Sequence, residues 1–188
     1  LDHLGIDRAH VCGLSMGGYV ALRAIERFPQ RFRSLILCDT ASKGDTNAAK
    51  EKRANQIRQV RAKGFLAFVE AYSDGVLTPE TLADRPEKLA EFRAMMIKNS
   101  AKAVTAGLVA MAARTDSSEN LGRIAVPTLI LVGEQDTVTP VSIARDMEAA
   151  IPGALLEIIP RAGHLSNFEA PQAFNDRLLH FLTTRARP

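Results

Sequence analysis

"HVCGLSMGGYVAL", residues 10–22, joins an apolar run to an amphipathic one through a glycine-rich turn. The turn, Gly13-Leu14-Ser15-Met16-Gly17, has the form G-x-S-x-G. Between a strand and a helix, such a turn holds its serine on a strained bend and pushes the hydroxyl out at the end of the strand. Gly13 and Gly17 are read as the residues that give the turn room where strand and helix crowd together. The N–H groups opening the helix face the same spot, and that of Met16 is a candidate oxyanion donor. The competing reading is a β-to-α turn whose serine only caps the helix.

The context on both sides fits the first reading. "AHVCGL" (9–14) is a strand candidate, and residues 17–29 form a helical pattern stopped by Pro29. "FRSLILCD" (32–39) has the continuous apolar run of a strand covered on both faces. Residues 43–122 show no strong strand. Their periodicity predicts helices over 47–64, 65–75, 86–99 and 101–114, broken at Gly64, Gly75, Thr78-Pro79 and Pro86. Strand character returns at 126–133, followed by the turn "EQDTVTP", a helix over 140–150 and a strand over 153–160. A loop, "RAGHLSNFEAP", then leads into a helix over 172–182. The order is β-α-β, helical insertion, β-α-β-α. The expected class is α/β, a parallel sheet with helices on both faces. Residues 1–42 and 123–188 form its core, and 43–122 form the insertion.

Composition narrows the function. The chain has 188 residues, 46% hydrophobic and 24% charged, with a net charge of +3. Basic residues alternate with acidic ones, as in "KEKRANQIRQVRAKG", which describes a solvated helix face and not a nucleic-acid patch. No apolar run approaches the roughly 20 residues of a membrane span, and Leu1 does not open a signal-peptide pattern. A cytoplasmic protein is expected. Cys12 and Cys38 each stand late in an apolar run and are read as buried free thiols.

A serine hydroxyl needs a base to become a nucleophile, and the base needs an orienting acid. Of the four histidines, His3 and His10 precede the turn, and His180 falls within the last amphipathic helix. His164 alone lies in a loop after a predicted strand, which makes it the candidate base. Asp136 directly follows "TLILVG" and is the leading candidate acid. Glu134 and Asp39 compete with it. In the second reading Asp39 braces the junction between strand and insertion. The chain holds no HExxH, CxxC, GxGxxG or GxxxxGK[ST], so neither a metal nor a nucleotide cofactor is expected.

The order Ser15, Asp136, His164, together with "GLSMGG" (13–18), "RFRSLILCDTAS" (31–42), "ENLGRIAVPTLILVGEQDTVTP" (119–140) and "IIPRAGHLSNFEAPQAFNDRLLHFL" (158–182), resembles the α/β-hydrolase superfamily. Within it the chain looks most like 3-oxoadipate enol-lactonases and related small esterases, on "LCDTAS" and "VRAKGFLAFVE". Those lactonases tend to carry a tryptophan shortly before a "TP" pair, where this chain has "GVLTP" (75–79) and no tryptophan. The resemblance implies Ser15 as nucleophile, His164 as base and Asp136 as acid. Residues 43–122 would be a helical cap, and the substrate a small-molecule carboxylic ester or lactone. C–C bond hydrolysis and cofactor-free perhydrolysis share the same triad. A silent remnant acting as an oligomeric scaffold is the non-enzymatic alternative. The resemblance also implies strands before the G-x-S-x-G turn, the family's nucleophile elbow. On that expectation "AHVCGL" is an apolar edge, covered by a second copy of the chain or by a separate N-terminal segment.

Overall fold

A computed structural model of the chain describes residues 1–186. They divide into two compact units, residues 1–42 with 117–186, and residues 43–116.

The first unit is built on a parallel four-stranded sheet of β1 (Ala9–Leu14), β2 (Phe32–Cys38), β3 (Thr128–Gly133) and β4 (Leu155–Ile159), in the order β1-β2-β3-β4. Successive residues of a strand face opposite sides, and the packing obeys that alternation. Leu35, Leu37, Ile130 and Val132 face α1 (Met16–Arg27) and α7 (Val141–Ala150), where Leu22, Ile25, Ala144 and Met147 meet them. Ile36, Cys38, Leu129 and Leu131 face the other way, toward Phe174 and Phe181 of α9 (Pro171–Thr184). Burial on both faces explains why β2 and β3 read as unbroken apolar runs. Each such side chain contributes about 1.5–3 kcal/mol by leaving water.

The register sets up the site. Leu14 pairs with Cys38, Cys38 with Leu131, and Gly133 with Ile159. The strands therefore end nearly level, and the loops after β1, β2, β3 and β4 emerge at one edge. Backbone bonds extend this level end, from Ser15 N–H to the Cys38 carbonyl (2.8 Å), Asp39 N–H to Leu131 (2.9 Å) and Glu134 N–H to Ile159 (2.9 Å).

The second unit is helical, with α2 (Asn47–Lys63), α3 (Phe65–Val76), α4 (Pro79–Asp84), α5 (Pro86–Met96) and α6 (Ala101–Ala112) around Val60, Phe68 and Leu108. Near its two chain ends, Asp45 receives the guanidinium groups of both Arg53 and Arg114. Among the described residues no helix is long and apolar enough to cross a membrane.

Several local expectations change. Residues 117–122, expected in the insertion, belong to the first unit, where Leu121 joins the sheet core. Thr78-Pro79, read as a break, starts α4. The Thr78 hydroxyl accepts the Thr81 N–H (3.1 Å), and Pro79 takes the first helical position, where a missing N–H costs nothing. A short helix, α8 (Ser166–Glu169), stands inside the predicted loop after β4. Cys12, expected buried, is exposed on β1, with its sulfur 3.6 Å from that of buried Cys38.

Candidate active site

Ser15 is the residue between β1 and α1, and its backbone has φ 49° and ψ −112°. A left-handed φ is costly for a residue with a side chain, on the order of 1–3 kcal/mol. The surroundings hold it there. The Ser15 carbonyl accepts the Gly18 N–H (2.9 Å) and the Thr40 hydroxyl (2.7 Å), while its N–H is fixed on Cys38. The room for this comes from particular glycines. A Cβ on Gly13 would stand 2.4 Å from the Gly17 carbonyl oxygen, and one on Gly18 would stand 2.3 Å from the Thr40 hydroxyl. A Cβ on Gly17 would meet nothing within 4 Å, so the crowding assigned to Gly17 belongs to Gly18.

The bend bears on the capping reading of the serine. Ser15 stands at the N-cap of α1, yet its side chain makes no capping bond. Its Oγ lies instead 2.9 Å from His164 Nε2. Met16 is the first residue of α1, and its N–H has no partner within the helix.

His164 is buried in the loop between β4 and α8, with 2% of its side chain exposed. Its Nδ1 lies 2.9 Å from Asp136 Oδ2 and 3.3 Å from the Thr139 hydroxyl. Asp136, in the loop between β3 and α7, is buried as well. Its Oδ1 accepts the N–H groups of Val138 (2.8 Å) and Thr139 (2.9 Å), and its Oδ2 accepts the Thr139 hydroxyl (2.7 Å). Burial pushes the Asp136 carboxyl up. The bond and charge of His164 and the two Thr139 bonds outweigh it and hold the group below the ordinary aspartate range.

The structure thus brings Ser15, His164 and Asp136 into one hydrogen-bonded line, 149 and 28 residues apart along the chain. The competitors for the acid lie elsewhere. Glu134 accepts the Arg161 N–H (3.2 Å). Asp39 does not brace the strand–insertion junction. Its Oδ1 accepts the Gly133 N–H (2.8 Å), and its Oδ2 accepts the N–H and hydroxyl of Ser166 (3.1 and 2.6 Å). His10 sits 2.8 Å from Ser34, and His3 and His180 are exposed. Among the described residues no group of three or more His, Cys, Asp or Glu could hold a metal ion.

Three supporting residues escape the sequence reading. Thr139 had a partial signal, because an aspartate in a turn tends to bond the backbone two residues on, here Val138, which brings the next residue close to it. Ser166 and Glu169 had none. Their partners are Asp39, 127 residues away, and the Gly163 N–H, which donates to Glu169 (2.7 Å).

Residues 1–171 match the family described as having the alpha/beta hydrolase fold. The chain belongs to the α/β-hydrolase fold family. Two curated relatives illustrate its range. One is 3-oxoadipate enol-lactonase 2 of Acinetobacter baylyi, 34% identical over 93% of this chain. The other is a 2-hydroxy-6-oxononadienedioate/2-hydroxy-6-oxononatrienedioate hydrolase of Cupriavidus pinatubonensis, 30% identical over 97% of it. The chain spans 64% of the length of each. Among solved structures, a thermophilic esterase from Thermogutta terrifontis superposes with a TM-score of 0.92 at 33% identity. That match covers 99% of this chain and 69% of the esterase. The G-x-S-x-G turn of this chain joins β1 to α1, and the loops after β3 and β4 carry Asp136 and His164.

Proposed function

We propose that this α/β-hydrolase chain carries a serine-hydrolase centre for a carboxylic ester or lactone, with Ser15 as nucleophile, His164 as base and Asp136 as acid. The observation that carries the reading is the unbroken line Ser15 Oγ–His164 Nε2–His164 Nδ1–Asp136 Oδ2, with both hydrogen-bonded links 2.9 Å long. In the proposed reaction His164 Nε2 takes the Ser15 proton as Oγ attacks the carbonyl carbon. The Met16 N–H donates to the carbonyl oxygen as it gains charge. His164 then gives its proton to the leaving alkoxide, and an acyl-serine remains. Water enters and attacks the acyl carbon as His164 takes its proton; the C–Oγ bond then breaks, His164 returns that proton to Ser15 Oγ, and the acid leaves. Asp136 keeps Nδ1 protonated and the ring aligned throughout. No cofactor enters this cycle.

The enol-lactonase relative supports a lactone or ester as substrate class. The Cupriavidus relative supports a second reading, C–C bond hydrolysis of a dienedioate-type ketone at the same three residues.

Labelling with a fluorophosphonate probe tests the serine reading directly. The expected result is one labelled site, lost in Ser15→Ala and strongly reduced in His164→Ala. Labelling that survives Ser15→Ala overturns it, and a chain that never labels favours the silent-scaffold alternative. Parallel turnover of p-nitrophenyl acetate, an enol-lactone and a vinylogous 1,5-diketone separates the two substrate classes.

A further inference from the structure

Asp39 is a buried carboxylate that the proposed reaction does not use. It is 1% exposed, and its backbone has φ 45°, one of three non-glycine residues in the left-handed region among those described. A buried carboxylate is costly unless donors surround it, and strain of this kind collects at functional sites. Both costs fall on one residue at the end of β2, and its bonds say where they are directed.

Each carboxylate oxygen faces a different loop. Oδ1 takes the Gly133 N–H at the end of β3, three residues before Asp136. Oδ2 takes both donors of Ser166, two residues after His164. On the other flank of the histidine, the Gly163 N–H is held by Glu169. Asp39 touches neither Ser15 Oγ nor the imidazole. It joins the two backbone segments that must keep His164 and Asp136 in register. An asparagine cannot replace it, because its amide would present N–H groups to a site lined with donors.

We infer, resting on the serine-hydrolase reading above, that Asp39 is a positioning residue: its ionised carboxylate ties the end of β3 to the loop that carries His164, and so holds the imidazole between Ser15 and Asp136. The margin is narrow, since a displacement of about 1 Å in such a site costs about 10²-fold in rate. Of the ionisable groups around this carboxylate, Cys38 beside it in sequence and Asp136 on the loop after β3 interact with it by charge, and His164 and Glu169 stand two residues before and three after the Ser166 it holds. Burial pushes the Asp39 carboxyl up, against the pull of the Ser166 and Gly133 bonds and with a further push from the Asp136 charge, to about 6. The holding form is therefore the one present above that pH.

The test uses Asp39→Asn and Ser166→Ala in the full chain, with two readouts. The first is kcat and KM for p-nitrophenyl acetate from pH 5 to 9. Asp39→Asn is expected to lower kcat at pH 8 by about tenfold to a hundredfold with KM within about threefold. The wild-type-to-variant ratio in kcat should then shrink as pH falls through about 6, because the wild-type carboxylate is lost too. Ser166→Ala removes one of the three donors and should move kcat the same way by less; it decides the matter if Asp39→Asn does not fold. The second readout is the proton NMR signal of His164 Nδ1–H, expected to shift or broaden in both variants. It needs no turnover, so it tests Asp39 even if the hydrolase reading fails, and loss of Ser15 labelling in the wild type tests that reading alone. Wild-type kcat and an unmoved His164 signal in the variants would overturn the inference. So would a kcat loss equal at every pH, which marks a merely structural role.

Discussion

Asp39→Asn makes a quantitative prediction about stability that is separate from turnover. The folded protein holds the Asp39 carboxyl at about 6, against an ordinary value of 3.8. That gap corresponds to about 3 kcal/mol. The sign comes from proton counting. A raised folded-state value means that the folded chain binds the proton more tightly than the unfolded chain. The resulting stabilisation is complete below 3.8 and is lost as pH rises through about 6. Asparagine does not titrate, so the stability difference between wild type and Asp39→Asn should fall by about 2 kcal/mol between pH 4.5 and pH 8. The offset between the two proteins also contains the amide's donor-to-donor conflict with Gly133 or Ser166, but that part is constant with pH. Other carboxyls cancel in the difference. Asp136, the nearest of them, is held below the ordinary range and stays ionised across this window. The assay is urea unfolding monitored by far-UV circular dichroism at half-unit pH steps, accepted where the slope with urea is unchanged. Two stability curves that run parallel from pH 4.5 to 8 would refute the account of Asp39 as a carboxylate kept in the interior against its own desolvation. A converging pair would show that ionisation of Asp39 costs the folded state stability at pH 8, which a residue kept only for stability does not explain.

Other outcomes rest on the same geometry. Gly18→Ala and Gly13→Ala should each destabilise the first unit by several kcal/mol, since the new Cβ would meet Thr40 or the Gly17 carbonyl, whereas Gly17→Ala should stay within about 1 kcal/mol in thermal unfolding. Thr139→Val keeps the shape but removes the hydroxyl bond to Asp136 (2.7 Å), and should cost about 1–3 kcal/mol at pH 7. Because that bond helps hold Asp136 below its ordinary value, the cost should fade as pH falls below 3.8 and through the lowered value in the folded protein, and a cost that stays constant down to acid unfolding in urea titrations would contradict it. In the helical unit, Asp45→Ala removes a carboxylate that both Arg53 and Arg114 bind and should cost about 1.5–3 kcal/mol, read as faster amide exchange in α2 and α6.

How far the sequence could reach is set by the range of each interaction. Strand and helix positions were legible because they rest on periodicity over short stretches of chain. β2 and β3 announced their burial through unbroken apolar runs, and the elbow announced itself through Gly13 and Ser15. Thr78-Pro79 misled because proline serves equally as a stop and as a first helical residue; only the Thr78 cap decides, and a cap is a three-dimensional fact. Gly17 misled for a related reason. It completes the G-x-S-x-G pattern, but the pattern does not say which glycine lies against a neighbouring segment. That depends on Thr40, brought in by β2.

The site residues show the same divide. Ser15, Asp136 and His164 were legible as a set because each stands in a loop just beyond a strand, and level strand ends in a parallel sheet gather those loops at one edge. The residues that hold them were not legible. Asp39 reaches Gly133 and Ser166 across 94 and 127 residues, and no local pattern encodes a bond of that span. As a rival acid, Asp39 could only be the third member of the line or stand apart from it. The geometry gives it a different relation. The register that sets Cys38 level with Leu131 places a carboxylate where the loops after β3 and β4 converge. There, one side chain can fix the spacing between an aspartate and a histidine that it does not touch. The same four-stranded register therefore gathers the three hydrogen-bonded side chains and positions the carboxylate proposed to space them.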